Sequence, residues 1–329
     1  MNDHEENINR EFEEREKSVN SNNKSDKITN LGKVENPGHF NKPKADDPEI
    51  KKLNDIAGYV KLKLQNLPSQ GRFYRDDFEI HIRPASVREI RDFSTMDEES
   101  VKDVDDKLNN IIVSCTKIMY GNQRGSYKDI LEEDRIYVLL EIKQLTFKEG
   151  ENKLMMPVTA KKCPSSQCEA QKNVELNTEH LQTQEHNETL EKYYDSVNKC
   201  YAIQTKNFGV INMAPPTIGV MRALSEWVRD KAQKGEPYDE SLITILPYLQ
   251  REWRGWGEKE IFASITNLIG YNDKKFTLIY RLAERMKIGI KPEMKFPCES
   301  CGAEVTVPLT FPGGIKALFI ISDISSELL

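Results

Sequence analysis

The sequence predicts an α+β protein: an N-terminal β-hairpin followed by helices, with a helical domain inserted between two distant cysteine turns. Three observations lead to this fold class. Short segments alternate apolar and polar residues as strands do, and longer segments repeat apolar residues at helical spacing. Four of the six cysteines form two tight pairs that lie about 130 residues apart.

The chain begins with a polar segment, residues 1–55, dominated by Asn, Glu, Lys, Asp and Ser. Its only aromatic residues are Phe12 and Phe40, so it has little apolar surface to offset the entropy lost on ordering. We therefore expect a disordered leader. The alternative is a partner-binding arm that becomes ordered on contact.

The body is predicted to begin near Gly58 with a strand-turn-strand unit and helices that occupy residues 56–160. Residues 59–64 alternate apolar and polar side chains, and so do residues 78–82. The segment 67–71 between them contains Pro, Ser and Gly, which are turn residues. These features predict two strands around an irregular turn.

Helices are expected to follow this hairpin. Ser86 and Glu89 have the spacing of a capping box and predict the start of a short helix. Longer helices are predicted over 104–120 and 132–146. The first of these would carry on one face Leu108, Ile111, Ile112, Cys115 and Met119. Its apolar neighbours make Cys115 a core thiol rather than a ligand.

Residues 161–215 are predicted to hold the first cysteine turn and two strands, and residues 216–290 a helical domain. The strands are expected at 201–205 and at 208–213. Cys200, which precedes the first of them, is expected to be buried. Turns containing Gly or Pro separate predicted helices at 217–234, 238–249, 258–268 and 274–287. The tryptophans expected to anchor this domain are Trp227, Trp253 and Trp256, any of which could instead be an interface hot spot.

Each cysteine pair lies at a turn that a short V-x-[LV] strand-like run follows. Cys163 and Cys168 have C-x4-C spacing, and Cys298 and Cys301 have C-x2-C spacing with Gly302 next in the chain. In a zinc ribbon, two such knuckles supply two thiolates each to one tetrahedral Zn²⁺. The sequence therefore predicts one structural zinc ion held by these four cysteines.

The long separation of the pairs makes this a split ribbon, because a compact ribbon has about 15–20 residues between its knuckles. The helical domain would be the insertion, and residues 291–329 would hold the second knuckle and the C-terminal segment. Other interpretations remain open: four unliganded thiols, a redox centre at Cys298 and Cys301, or substitution of a ligand by His180 or His186.

Composition and motifs restrict the function classes. The net charge of −6 argues against nucleic acid as a partner, and no stretch reaches the roughly 18 apolar residues that a membrane span requires. The acidic N-terminus has no apolar run of the kind found in secretory signals. Nucleotide-binding, metalloprotease and serine-hydrolase motifs do not occur, and a four-thiolate site leaves no position for substrate. We therefore predict a non-catalytic interaction protein.

Several segments, taken in order over about residues 58–320, resemble one family. They are Leu67-Pro68-Ser69-x-Gly71-x-Phe73-Tyr74, Val87-Arg88-Glu89-Ile90, Phe93-Ser94-Thr95, Asp106-Lys107-Leu108-Asn109, Asp134-Arg135-Ile136-Tyr137, Leu145-Thr146-Phe147, Cys163-Pro164 and Cys298-x-x-Cys301-Gly302. Their order is similar to that in baseplate hub and tail-assembly proteins of contractile-tailed, T-even-like bacteriophages. The chain departs from that pattern in the C-x4-C spacing of the first pair, in Glu169 where a glycine is expected, and in its long N-terminal arm.

The resemblance implies a structural or chaperone-like role in building the tail baseplate hub, with other hub or tail proteins as partners. It implies assembly in the host cytoplasm and leaves open retention in the virion tail baseplate. We expect the helical domain between the knuckles to present the partner surface. The competing reading is a zinc-ribbon protein that binds nucleic acid or acts in transcription.

Overall fold

The computed structural model describes residues 52, 56–147, 154–156, 174–176, 181–184, 186–249, 270, 273–298, 300–308 and 314–319. All of them fall in a unit that spans Ala45–Leu329. The predicted leader therefore lies outside the described residues except for Lys52, and the predicted domain boundaries stay predictions. Helices and antiparallel sheets occur together, which confirms the α+β class.

The N-terminal sheet has four antiparallel strands in the order β1-β2-β3-β4. Their bounds are Val60–Lys61, Phe78–Ile82, Thr116–Tyr120 and Gln123–Arg124. The strand β2 lies between β1 and β3. Its inward side chains are at most 2% exposed: Phe78, Ile80 and Ile82. Val60 pairs with Ile82 across the irregular turn, so the predicted strand-turn-strand unit is confirmed.

Three helices pack on this sheet: α1 (Val87–Ser94), α2 (Val101–Cys115) and α3 (Arg135–Thr146). The predicted capping box at the start of α1 is present, since the Ser86 hydroxyl accepts from the Glu89 N–H and the Glu89 carboxylate accepts from the Ser86 N–H. A 3-10 turn, Glu132–Asp134, leads into α3. Together these elements enclose the first hydrophobic core.

The predicted helix over 104–120 is wrong at its C-terminal end. The helix α2 stops at Cys115, and Thr116–Tyr120 form the strand β3, which pairs with all five residues of β2. Cys115 is fully buried in the core, as expected, and Met119 is also buried but from the strand. Met119 lies eleven positions after Leu108, a spacing that fits one face of a helix, but its burial fits the alternate residues of a strand equally well. The long-range pairing of residues 116–120 with β2 makes this segment a strand.

A second core is built around a sheet of three antiparallel strands, β7 (Tyr194–Asp195), β8 (Cys200–Thr205) and β9 (Gly209–Met213), which confirms the two predicted strands. The short helix α4 (Glu188–Glu191) precedes this sheet. Cys200 is buried, as predicted, as the first residue of β8.

Helices complete the second core: α5 (Ile218–Gln233), α6 (Glu240–Ile245) and α7 (Asp273–Met286), with a 3-10 helix at Leu246–Leu249 after α6. Thr217 caps α5 by accepting from the Val220 N–H. Three of the four predicted helices are confirmed, and the one predicted over 258–268 lies outside the described residues.

The chain returns to the first core at its C-terminal end. A 3-10 helix, Ile315–Phe319, places the fully buried ring of Phe319 edge-on to that of Phe93 in α1, with 5.1 Å between ring centroids. Leu318 is 3% exposed in the same core. The first core is therefore completed by residues more than 200 positions after the strands that begin it.

Candidate metal centre and inter-core joint

The second cysteine pair lies at the tip of a hairpin formed by β10 (Glu293–Pro297) and β11 (Glu304–Pro308). The Cys298 N–H donates to the Ala303 carbonyl at 2.8 Å, and the Gly302 N–H donates to the Cys298 carbonyl at 2.7 Å. Gly302 has φ +71°, a left-handed conformation that residues with a Cβ adopt at a cost. Cys298 is buried and Cys301 is exposed. This tight turn is compatible with a metal-binding knuckle.

The first pair is also flanked by paired strands. The strands β5 (Leu154–Met156) and β6 (Val174–Leu176) run antiparallel, with Leu154 opposite Leu176 and Met156 opposite Val174. Cys163 and Cys168 come between these strands in sequence but lie outside the described residues. The strands predicted to follow the two cysteine turns are therefore confirmed, and the geometry of the first knuckle stays a prediction.

Backbone pairing joins the segment that follows the first hairpin to the segment that precedes the second hairpin. Thr183 and Ile290 form an isolated antiparallel bridge, the Gln184 N–H donates to the Gly289 carbonyl at 2.8 Å, and the Lys291 N–H donates to the Gln182 carbonyl at 2.7 Å. Thr183 lies seven positions after the end of β6, and Ile290 lies three positions before the start of β10, so the chain limits these distances to about 25 Å and about 10 Å. The two ends of the inserted segment are thus held side by side.

The donor set of a zinc site is incomplete among the described residues. Within that part of the chain, no group of three or more His, Cys, Asp or Glu side chains is placed to hold a metal ion. Two of the four predicted ligands, Cys163 and Cys168, fall outside it, as does His180. The other histidine considered as a substitute, His186, packs against the ring of Phe73 with 6.0 Å between centroids, and burial lowers its pKa.

The segment 67–77 joins the two hydrophobic cores. Phe73 packs against both of them, and its ring lies 5.4 Å from that of Tyr201 in β8. The neighbouring Arg72 donates to the Glu191 carboxylate at 2.7 Å and lies over the ring of Tyr194 at 4.2 Å. The Arg72 hydrogen bond lowers the pKa of Glu191. One short loop thus contributes an apolar ring and a cation to the surface between the cores.

The same loop is fixed to the first core by a buried carboxylate. Asp134 accepts from the Ser69 N–H at 2.9 Å, from the Ser69 hydroxyl at 2.6 Å and from the Tyr74 hydroxyl at 2.7 Å. The Tyr74 hydroxyl in turn accepts from the Leu131 N–H at 3.0 Å. Burial raises the pKa of Asp134 to about 6, although the Ser69 and Tyr74 hydrogen bonds favour its charged form. Sequence reasoning singled out both segments but had no signal that they meet.

An ion network joins three helices. Arg135 at the start of α3 pairs with Asp105 of α2 at 2.7 Å, and its guanidinium also donates to the Glu132 carboxylate at 3.0 Å. Arg222 of α5 pairs with Asp106 of α2 at 3.1 Å. The side chain of Arg135 is only 7% exposed, so its carboxylate partners offset the cost of burying the charge. The network fixes the insertion to the N-terminal body.

Of the three tryptophans, the structure describes Trp227, which is partly buried against the second core. Its predicted role as an anchor of the helical domain is confirmed. Trp253 and Trp256 lie outside the described residues, so their roles stay predictions.

Comparison with protein families gives a match over residues 59–239 to the family model described as T4 bacteriophage base plate protein. The matched range includes the N-terminal sheet, the helices α1 to α3, the segment 67–77 that joins the two cores, and the helix α5. Neither the curated proteins nor the solved structures gave a match. None of the described helices is both long enough and apolar enough to cross a bilayer.

Proposed function

Because the chain belongs to the T4 bacteriophage base plate protein family, we propose that it is a non-catalytic structural or assembly protein of a phage tail baseplate hub, acting through contacts with other tail proteins. The family match over more than half of the chain carries this proposal. The two joined cores support it, since partly buried ion pairs and aromatic packing between them give a rigid scaffold for protein contacts.

This role can be tested in a phage that carries the coding sequence. Deleting the gene should abolish baseplates in electron micrographs of infected cells, and the wild-type gene supplied from a plasmid should restore them. Mass spectrometry of purified virions then separates a hub subunit, which remains in the particle, from a chaperone, which leaves. Normal baseplates in the deletion strain would disprove the proposal.

We further propose that Cys163, Cys168, Cys298 and Cys301 hold one structural zinc ion that joins the two hairpins. The observation that favours this is the placement of both cysteine pairs between paired strands, together with the backbone bridge at Thr183. Four thiolates suit Zn²⁺, whose binding in small finger domains is worth about 10–16 kcal/mol. Bound there, the ion would supply cross-linking rather than chemistry.

Metal analysis tests the site directly. The purified full-length chain should contain about one equivalent of zinc, and Cys298→Ser should lose it. Cys200→Ala is the matched control, because this thiol is buried in β8, which belongs to neither hairpin, and its loss should leave the zinc content unchanged. Equal zinc content in wild type and Cys298→Ser would exclude the site. Cobalt substitution should give the spectrum of a closed tetrahedral thiolate site, whereas an open site would revive an enzymatic role.

We propose that the inserted helical domain presents the partner surface, since its two ends are fixed side by side. Alanine substitution of Trp253 and Trp256, followed by pull-down of hub proteins, tests this proposal. Unchanged association with an intact fold would place the surface elsewhere. The nucleic-acid alternative receives no support from the second hairpin, where Lys295 is paired with Glu304 at 2.6 Å.

A further inference from the structure

The outward face of α7 carries a stripe of cations. Four exposed residues share one side of the helix at spacings of three and four positions. They are the cations Lys274, Arg281 and Arg285 and the neutral Thr277. The opposite side is buried in the second core through Ile279, Leu282, Ala283 and Met286. The stripe runs for about 17 Å along the helix axis.

Stabilisation of the helix accounts for only one of the three cations, Arg285, which lies in the last turn, where the helix dipole favours positive charge. Lys274 lies in the first turn, where the positive end of the helix dipole disfavours a cation. Arg281 and Arg285 are one turn apart, where like charges repel each other. Within the described residues, no carboxylate comes within ion-pair distance of these three side chains, and the nearby Glu284 is paired with Lys287 at 2.9 Å.

An exposed aromatic side chain lies beside the stripe. Tyr280 is 40% exposed, and Tyr is one of the residue types enriched at protein interfaces. Tyrosine and arginine are both enriched among the interface residues that contribute most of the binding energy. The stripe therefore has both the charge and the apolar surface of a docking site.

Building on the proposed function, we propose that this face of α7 docks an acidic segment of a partner tail protein. Unpaired cations are satisfied by carboxylates that a partner supplies, and Tyr280 packs against the apolar side of that segment. Duplex DNA is the less suitable occupant, because three cations neutralise few phosphates and the whole chain carries a net charge of −6.

Charge reversal in the full-length protein tests the proposal. The variant Arg281→Glu/Arg285→Glu is compared with Lys206→Glu/Arg229→Glu, which changes the net charge equally at exposed cations of the β8–β9 turn and of α5. The probes are a fluorescein-labelled polyglutamate peptide, a DNA duplex, and the tail proteins that the tagged wild-type chain captures from infected cells. Circular dichroism checks that both variants fold.

We expect the α7 variant to bind polyglutamate and the captured tail proteins about tenfold more weakly, and the control to bind within about twofold of wild type. If the α7 variant does not fold, Arg281→Gln/Arg285→Gln should show a smaller loss in the same direction. Equal binding by wild type and the α7 variant would overturn the proposal. Preferential binding of DNA, lost in the α7 variant, would overturn it in favour of nucleic acid. Failure of the wild type to capture any tail protein counts against the proposed function, whereas the peptide result tests the basic face separately.

Discussion

The variant Phe319→Ala, which removes one aromatic ring, tests whether the C-terminal segment completes the first core. The Phe319 side chain is fully buried, and it contacts the Phe93 ring, which is also fully buried in α1. A phenylalanine of this kind removes about 150–250 Å² from water, worth about 4–6 kcal/mol at 25 cal/mol per Å². Measured Phe-to-Ala changes in protein cores cost about 3–5 kcal/mol, which is the range we expect here.

The assay is urea unfolding of the full-length chain, followed by circular dichroism, with Val101→Ala as the matched control. Val101 is 84% exposed, so its truncation should change the free energy of unfolding by no more than about 0.5 kcal/mol. Phe319→Leu should recover much of the loss, because it refills most of the volume. If the short 3-10 helix detaches instead, Phe93 becomes accessible and the protein should bind a hydrophobic dye in the absence of urea.

One result would refute this reasoning. If Phe319→Ala unfolds within about 1 kcal/mol of wild type and binds no more dye, the C-terminal segment does not complete the first core.

Three further predictions concern single side chains. Hydrogen bonds from Arg83 lower the pKa of Glu89 from 4.5 to about 2, so the charged Glu89 stabilises the fold above pH 4.5. This stabilisation is lost as the pH falls from 4.5 towards 2, and Glu89→Gln should flatten the pH dependence of the urea midpoint in that window. Tyr74→Phe removes the hydroxyl between Asp134 and the Leu131 N–H and should cost about 1–3 kcal/mol in the same unfolding assay. Gly302→Ala adds a Cβ at φ +71° and should lower the affinity of the proposed zinc site in a chelator competition.

Each of these three has a control. Glu99→Gln removes an exposed carboxylate and should leave the acid profile unchanged, so equal profiles for Glu89→Gln and wild type would contradict the role of the Arg83 pair. Tyr280→Phe removes an exposed hydroxyl at little cost in stability, and a similarly small effect at Tyr74 would contradict the buried network. Gly235 also has positive φ, so Gly235→Ala strains a turn outside the hairpins and should not affect zinc.

The sequence predicted best those features that depend on neighbouring residues. The capping box at Ser86 spans three positions, so local hydrogen bonding decides it. The alternation in residues 78–82 likewise identified β2, and the strand expected at 201–205 has nearly correct bounds. In each of these segments the pattern and the final structure agree because tertiary contacts reinforce the local preference.

Features fixed by distant contacts could not be predicted in the same way. The segment 116–120 has a pattern that suits a helix or a strand, and only its pairing with β2 makes it a strand. Nothing in the sequence indicates that Ser69 would bond to Asp134, 65 positions later, or that Phe319 would pack on Phe93. The two cysteine turns followed by strands were predictable, but the bridge at Thr183 that pairs the chain segments beside the two hairpins was not.

The bridge between Thr183 and Ile290 gives the chain a modular construction. Because the two crossing points are adjacent and antiparallel, everything between them could be excised and replaced by a short reverse turn without breaking the path of the remaining polypeptide. Such a miniaturised protein would have an uncovered Phe73 and would lose Ile218 from its first core, so the surface around both positions would need polar replacements. The same connection would allow a different globular unit to be transplanted onto this framework.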